Sequence, residues 1–213
     1  FGHALEADNW NPAATPITTL DAYKRLRAAG LARTEHPLVQ SICCYFEQSA
    51  EQTPRGWAFT VPANDAHPHA PWWTYSESEN ESEYLGVSCE AAAVALLHAP
   101  VGSAFHTRAL ALVQPLLGAV SGDAFGDMGM EGLAMLLDAL EQTRLAAPCG
   151  LSEGALAETR TKLRDAALRH VERDPAKWGG YAPTPTRVIT SPDSPLLPGM
   201  EALVALDLDR LVD

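Results

Sequence analysis

Glu51-Gln-Thr-Pro-Arg-Gly-Trp57-Ala-Phe-Thr-Val-Pro62 returns later in the chain as Glu172-Arg-Asp-Pro-Ala-Lys-Trp178-Gly-Gly-Tyr-Ala-Pro183, both in the frame Glu-x-x-Pro-x-x-Trp-x-x-x-x-Pro. Each copy stands where a helical pattern ends, so the chain repeats a unit of helices closed by a Pro- and Trp-bearing loop. Between the copies, Ser88 to His98 is Ala-rich and apolar nearly all round, which predicts an inner, buried helix. Ser103 to Val120 instead carries one apolar stripe, at Ala109, Leu110, Val113, Leu116, Leu117 and Val120, with Pro115 expected to kink it. A further pair is predicted at Met130 to Leu145 and Ser152 to Val171, and a last amphipathic segment after Pro198-Gly199.

Ahead of the first copy, Thr15-Pro16 reads as an N-cap followed by Pro at the first helical position; Ile17, Leu20, Tyr23 and Leu26 follow until Gly30 offers a left-handed stop. Thr34 to Pro37 opens a second helix with Leu38, Ile42, Tyr45 and Phe46 on one face. The run Glu77, Glu79, Glu81 and Glu83 is expected to be a solvated loop. No β-alternation of useful length occurs. The expectation is an all-α chain, one domain over residues 1–213, whose antiparallel helical hairpins form an α/α-toroid or a partial toroid, because each pair covers its apolar face only with its neighbours. The hairpins are fewer than a closed ring needs, so a partial ring or a piece of a longer chain is expected. Its uncovered flanks would be Ile17 and Leu20 at one end and Leu203, Val204, Leu208 and Leu211 at the other. Another copy of the chain or missing segments would cover them.

The net charge of −12 over 213 residues excludes a nucleic-acid backbone or an anionic membrane as partner, since both need clustered Lys and Arg. No apolar run is long enough to span a bilayer, and a cytoplasmic location is expected. Cys43, Cys44, Cys89 and Cys149 have neither zinc-knuckle nor redox spacing and are expected as free thiols. Cys89, near a predicted helix start, is weighed as an activated nucleophile.

The chemistry-bearing stretch is Val61-Pro-Ala-Asn-Asp-Ala-His-Pro-His-Ala-Pro-Trp-Trp-Thr-Tyr75, a loop stiffened by Pro that holds two His, an Asp, an Asn, two Trp and a Tyr. Loops between helices that carry aromatic faces and titratable groups are where binding and catalysis concentrate. Asp8, Asp65, His67 and His69 are therefore the catalytic candidates. Trp10, Asn11, Asn64, Trp72, Trp73 and Tyr75 are the substrate-binding candidates. The structural alternative is an ordered loop in which both Trp plug a helical core. Asp65, His67 and His69, at alternate positions of an extended stretch, are a further reading as metal ligands, but no further partner is evident; no metal and no cofactor is expected.

Phe1-Gly-His-Ala-Leu-Glu-Ala-Asp-Asn-Trp-Asn-Pro12, Thr15-Pro16-Ile17, Pro68-His-Ala-Pro-Trp-Trp73, the Glu172 to Trp178 frame and Ser191-Pro-Asp-Ser-Pro195 together resemble a group of poorly characterised bacterial proteins. That group is placed with the terpenoid cyclase and prenyltransferase α/α-toroid superfamily. Gln52-Thr-Pro-Arg-Gly-Trp57 is similar to the Gln-and-Trp repeat of triterpene cyclases with one residue fewer between Gly and Trp. The Asp-x-Asp-Asp motif of proton-initiated cyclases is missing, Asp207-Leu-Asp209-Arg coming nearest, and so is the aspartate-rich diphosphate motif.

The resemblance implies a small-molecule enzyme or binding protein with an aromatic-lined pocket, its substrate an isoprenoid. Trp and Tyr faces would stabilise a carbocation by about 0.5–2 kcal/mol each, and a buried Asp8 or Asp65 would deliver the proton. The alternatives are a carbohydrate-active enzyme, a glycosidase or polysaccharide lyase on the same fold, and a non-catalytic scaffold. A dry cavity lined by apolar and aromatic groups favours the isoprenoid; an open groove with several carboxylates favours the sugar.

Overall fold

The computed structural model describes residues 5–122, 124–126, 128–179, 182–189, 191–192, 194 and 196–212. Phe1 to Ala4 of the resemblance, Gly180 and Tyr181 of the second repeat, and Asp193 and Pro195 lie outside the described residues. The fold is all-α. Its helices are α1 (Pro16–Ala28), α2 (Pro37–Gln48), α3 (Glu77–Ser82), α4 (Tyr84–His98), α5 (Ala104–Gly118), α6 (Gly129–Thr143), α7 (Glu153–His170), α8 (Pro185–Val188) and α9 (Glu201–Val212). No helix among the described residues is long and apolar enough to cross a membrane.

Local chemistry accounts for most boundaries. Thr15 and Thr18 exchange bonds in a capping box ahead of Pro16, and Gly30, at φ +70°, releases the chain after α1. Ser103 and Ser152 accept from the third residue on, opening α5 and α7. Glu47, in the last turn of α2, also caps α5: its carboxylate accepts from Ala104 N (2.9 Å) and Phe105 N (2.7 Å). The acidic run is not the expected loop. Ser76 caps it and accepts from Glu79 N (3.2 Å), and Glu77 and Glu79 lie in the first turn, where carboxylates meet the positive end of the helix dipole.

The buried helix α4 is the centre of the core, flanked by α1, α2, α5 and α6, with every residue from Tyr84 to Leu96 buried. Against it α6 lies closest. The starts of the two helices are together: a Cβ on Gly132 would stand 2.7 Å from Gly86 O, and one on Gly86 would stand 2.4 Å from Met128 Cβ. Ile17 and Leu20 belong to this core at 6 % and 1 % exposure, so the expectation of an uncovered flank on α1 is corrected. At the other end Leu208 and Leu211 are exposed, while Leu203 and Val204 are half-buried. Cys89 is fully inside α4, where burial pushes its thiol far up, so it is no nucleophile.

The repeated frame serves one purpose twice, seating a Trp. In the first copy the antiparallel pair β1 (Gln52–Thr53) and β2 (Gly56–Trp57) turns Trp57 into the core against Phe46 and Phe105, at ring separations of 5.8 and 5.5 Å. Trp57 N donates to Ser88 Oγ of α4 (3.0 Å), and Gly56 at φ +146° makes room, since a Cβ there would stand 1.9 Å from that oxygen. In the second copy Trp178 is also buried, and its Nε1 donates to Glu172 O (2.6 Å) within the frame.

Candidate functional site

The segment before α1 and the Pro-rich loop hold each other. Asn9 and His69 form an antiparallel bridge, Trp10 N donates to Pro68 O (3.0 Å), and Ala70 N donates to Asp8 O (2.8 Å). Two buried amides complete the seam: Asn11 Nδ2 donates to Asn64 Oδ1 (2.9 Å), and Asn64 Nδ2 donates to Trp73 O (2.9 Å). The loop folds as two short 3₁₀ turns, Pro62–Ala66 and Pro71–Trp73, each begun by its proline.

This seam forms one wall of a cavity of about 560 Å³. Phe59, Pro71, Trp72 and Trp73 line the loop side, and Ile17 and Met128 the core side. Six carboxyl groups face it, Glu6, Asp8, Asp21, Glu79, Glu83 and Glu131, against two cations, Lys24 and Arg187. Trp73 Nε1 donates to Asp8 Oδ1 (2.7 Å), which fixes that carboxyl. Burial, then the hydrogen bond and the charge of Asp8, push Glu6 up to about 7.

Deeper, Lys24 Nζ stands 3.2 Å from Asp21 and 3.6 Å from Glu90 Oε2. Glu90 extends from the middle of α4 and is 2 % exposed; burial pushes it up to about 7 against the pull of Lys24. Burial raises Glu131 as well, against Lys24 and Arg187. The arrangement can bind a polar ligand against an indole face and exchange a proton with it near neutral pH.

Of the sequence candidates, Asp8, Trp72 and Trp73 line the cavity together, with Trp72 53 % exposed. Trp10, Asn11, Asn64, Asp65, His67, His69 and Tyr75 are not in its lining. Asn11 and Asn64 are occupied in the seam. Asp65 Oδ1 accepts from Tyr75 N (2.9 Å) as a turn cap, and Trp10 Nε1 donates back to Ala7 O (3.2 Å). His69 turns Nδ1 to His67 O (2.7 Å) and Nε2 to Thr74 Oγ1 (3.2 Å), so both of its ring nitrogens are engaged within the loop. Among the described residues no group of three His, Cys, Asp or Glu is placed to hold a metal ion.

Sequence reasoning missed Glu6, Asp21, Lys24, Glu90 and Glu131. Glu90, a lone charge inside Cys89-Glu-Ala-Ala-Ala93, was the one available signal, because an isolated carboxyl in an apolar helix must face either a cation or a cavity.

At the far end of α4, His98 bridges two hydroxyls, Tyr23 Oη at 2.8 Å from Nε2 and Thr34 Oγ1 at 3.0 Å from Nδ1, between cavities of about 240 and 430 Å³. Burial lowers its pKa and pushes Tyr23 up to about 12. Both ring nitrogens are satisfied, so the cluster ties α1 and the α1–α2 turn to α4.

Compared with protein-family models, curated proteins and solved structures, the chain matches none. The resemblance to toroid proteins therefore rests on the residues quoted for it.

Proposed function

We propose that the protein is a carbohydrate-active enzyme working by general acid–base chemistry, with its cavity built on a sector of an α/α-toroid. The observation that carries this reading is the chain Trp73–Asp8–Glu6 beside Trp72: an indole fixes one carboxyl, and burial together with that carboxyl raises its neighbour Glu6 to about 7. A carboxylic acid raised toward neutral pH is the usual proton donor of sugar chemistry, and an exposed indole face is the usual platform for a pyranose ring. Glu6 is the acid, Asp8 is the carboxyl beside it held by Trp73, and Trp72 stacks on the substrate.

The toroid reading is supported by α4 and α6, whose starts lie together as those of successive inner helices do, with α5 connecting them. Terpenoid chemistry would use the same protonated carboxyl and the same Trp faces. It requires a dry cavity, however, and six carboxyls with two cations hold water, so we rank it second.

A thermal-shift screen of neutral and charged oligosaccharides against prenyl diphosphates tests the ranking. A ligand at a hundred times its dissociation constant stabilises by about 2.7 kcal/mol, well within reach of the method. Stabilisation by an oligosaccharide that is lost in Trp72→Ala is expected. A response confined to prenyl diphosphates would reverse the order.

A further inference from the structure

Trp57, Trp73 and Trp178 are buried, whereas Trp10 and Trp72 present their rings to solvent, at 61 % and 53 % exposure. A single exposed apolar side chain is ordinary, but these two stand on one seam. Trp10 N donates to Pro68 O and Ala70 N to Asp8 O, so the opening segment lies alongside the loop that carries Trp72.

Both are backed by hydrogen bonds. Trp10 Nε1 donates to Ala7 O (3.2 Å), which folds its ring back toward the residue between Glu6 and Asp8. Trp72 is carried in the turn Pro71–Trp73, and that turn is fixed where Trp73 Nε1 donates to Asp8 Oδ1 (2.7 Å) and Asn64 Nδ2 donates to Trp73 O (2.9 Å). Aromatic rings held in place before a ligand arrives lose little freedom on binding it.

The two rings differ in their relation to the cavity: Trp72 lines it and Trp10 does not. A ligand small enough to stay inside meets one indole. Only a ligand that continues past the Glu6–Asp8 turn meets both. Resting on the carbohydrate reading above, we propose that the substrate is a neutral oligosaccharide chain lying across the mouth of the cavity, with one sugar ring on Trp72 and another, further along the chain, on Trp10. An acidic chain would set its own carboxylates against Glu6, Asp8 and the other acids of the lining, which disfavours it.

A glycan array of neutral cello-, xylo-, manno- and malto-oligomers, each from monomer to hexamer, finds the series that binds, and isothermal titration with that series measures the effect of length. Affinity is expected to rise with length until both indoles are covered and then to level off. Trp10→Ala should weaken binding of the hexamer about tenfold, a usual loss on truncating a well-placed indole, and leave the shortest binding member unchanged. Trp72→Ala should weaken both. Each side chain is exposed, so neither variant opens the core. Trp10→Phe, which keeps a ring, should recover most of the loss. Co-sedimentation with phosphatidylcholine vesicles tests the other surface that exposed indoles recognise.

Sugar binding that ignores both chain length and Trp10→Ala would overturn the inference and leave the carbohydrate reading standing. Binding of no sugar in any series would remove both. Vesicle binding that is lost in Trp10→Ala, with no effect of sugar length, would overturn the inference and assign the two indoles to a membrane surface.

Discussion

Glu6 and Asp8 meet at a turn closed by Asn9 N on Glu6 O (3.4 Å), so their interaction is set by local geometry and tuned from outside by the Trp73 indole. After burial, Asp8 is the chief cause of the raised Glu6. In Asp8→Asn the Glu6 titration should therefore move from about 7 toward its ordinary value of 4.5, read by carboxyl-carbon NMR; an unmoved titration would show that burial alone sets it. Glu90 links protonation to stability. A carboxyl raised from 4.5 to about 7 by folding contributes stability that is fully present below pH 4.5 and is lost as pH rises through about 7. Over that window the change from Glu90 alone is on the order of 3 kcal/mol. The melting temperature is expected to fall from pH 5 to pH 8 in the wild type, and Glu90→Gln should flatten that slope. None of this tuning was legible in the sequence, which places Asp8 in a polar opening and Glu90 in an apolar helix without saying what either one faces.

Capping chemistry was legible because it is local. Thr15-Pro16, Gly30, Ser103 and Ser152 act on residues within one turn of themselves, and the helices begin and end where those residues direct. The acidic run was misread because counting like charges overlooked Ser76, whose hydroxyl turns the same carboxylates into a favourable first turn. Contact between helices was not legible: nothing local marks Gly86 and Gly132 as partners, yet they let α4 and α6 touch backbone to backbone. Gly132→Ala places a methyl 2.7 Å from Gly86 O and 3.0 Å from Cys89 Cβ, and neither atom is the end of a flexible side chain. The helices must separate, at a cost of about 1–3 kcal/mol. Denaturant unfolding should show this loss with the slope unchanged; a Gly132→Ala protein as stable as wild type would mean that α4 and α6 pack less closely.

The candidate site draws on the opening segment, α1, the Pro-rich loop, α3, the start of α6 and α8, and a cavity assembled from parts so distant in sequence has no linear signature. The periphery is held differently from the centre. Along α9 the one buried residue is a charged one, Asp207, and Leu206, Leu208 and Leu211 are exposed. Its carboxylate accepts from Thr186 N (3.0 Å) and Oγ1 (2.6 Å) on α8 and from Arg210 Nε (3.0 Å) and Nη2 (2.8 Å). Burial alone would raise this group, but those bonds hold it at about 2, below its usual 3.8. Asp207-Leu-Asp209-Arg, the nearest approach to the cyclase acid motif, thus contains an ionised anchor rather than a proton donor. The anchoring contributes stability present above pH 3.8 and lost as pH falls through about 2, corresponding to roughly 2 kcal/mol. With so little apolar surface buried, α9 is expected to open as a unit well before the core. Hydrogen exchange should show weak protection in residues 201–212 and strong protection in α4. Asp207→Ala should abolish protection in α9 while leaving that of α4 unchanged. Loss of protection in both at once would make α9 part of the cooperative core.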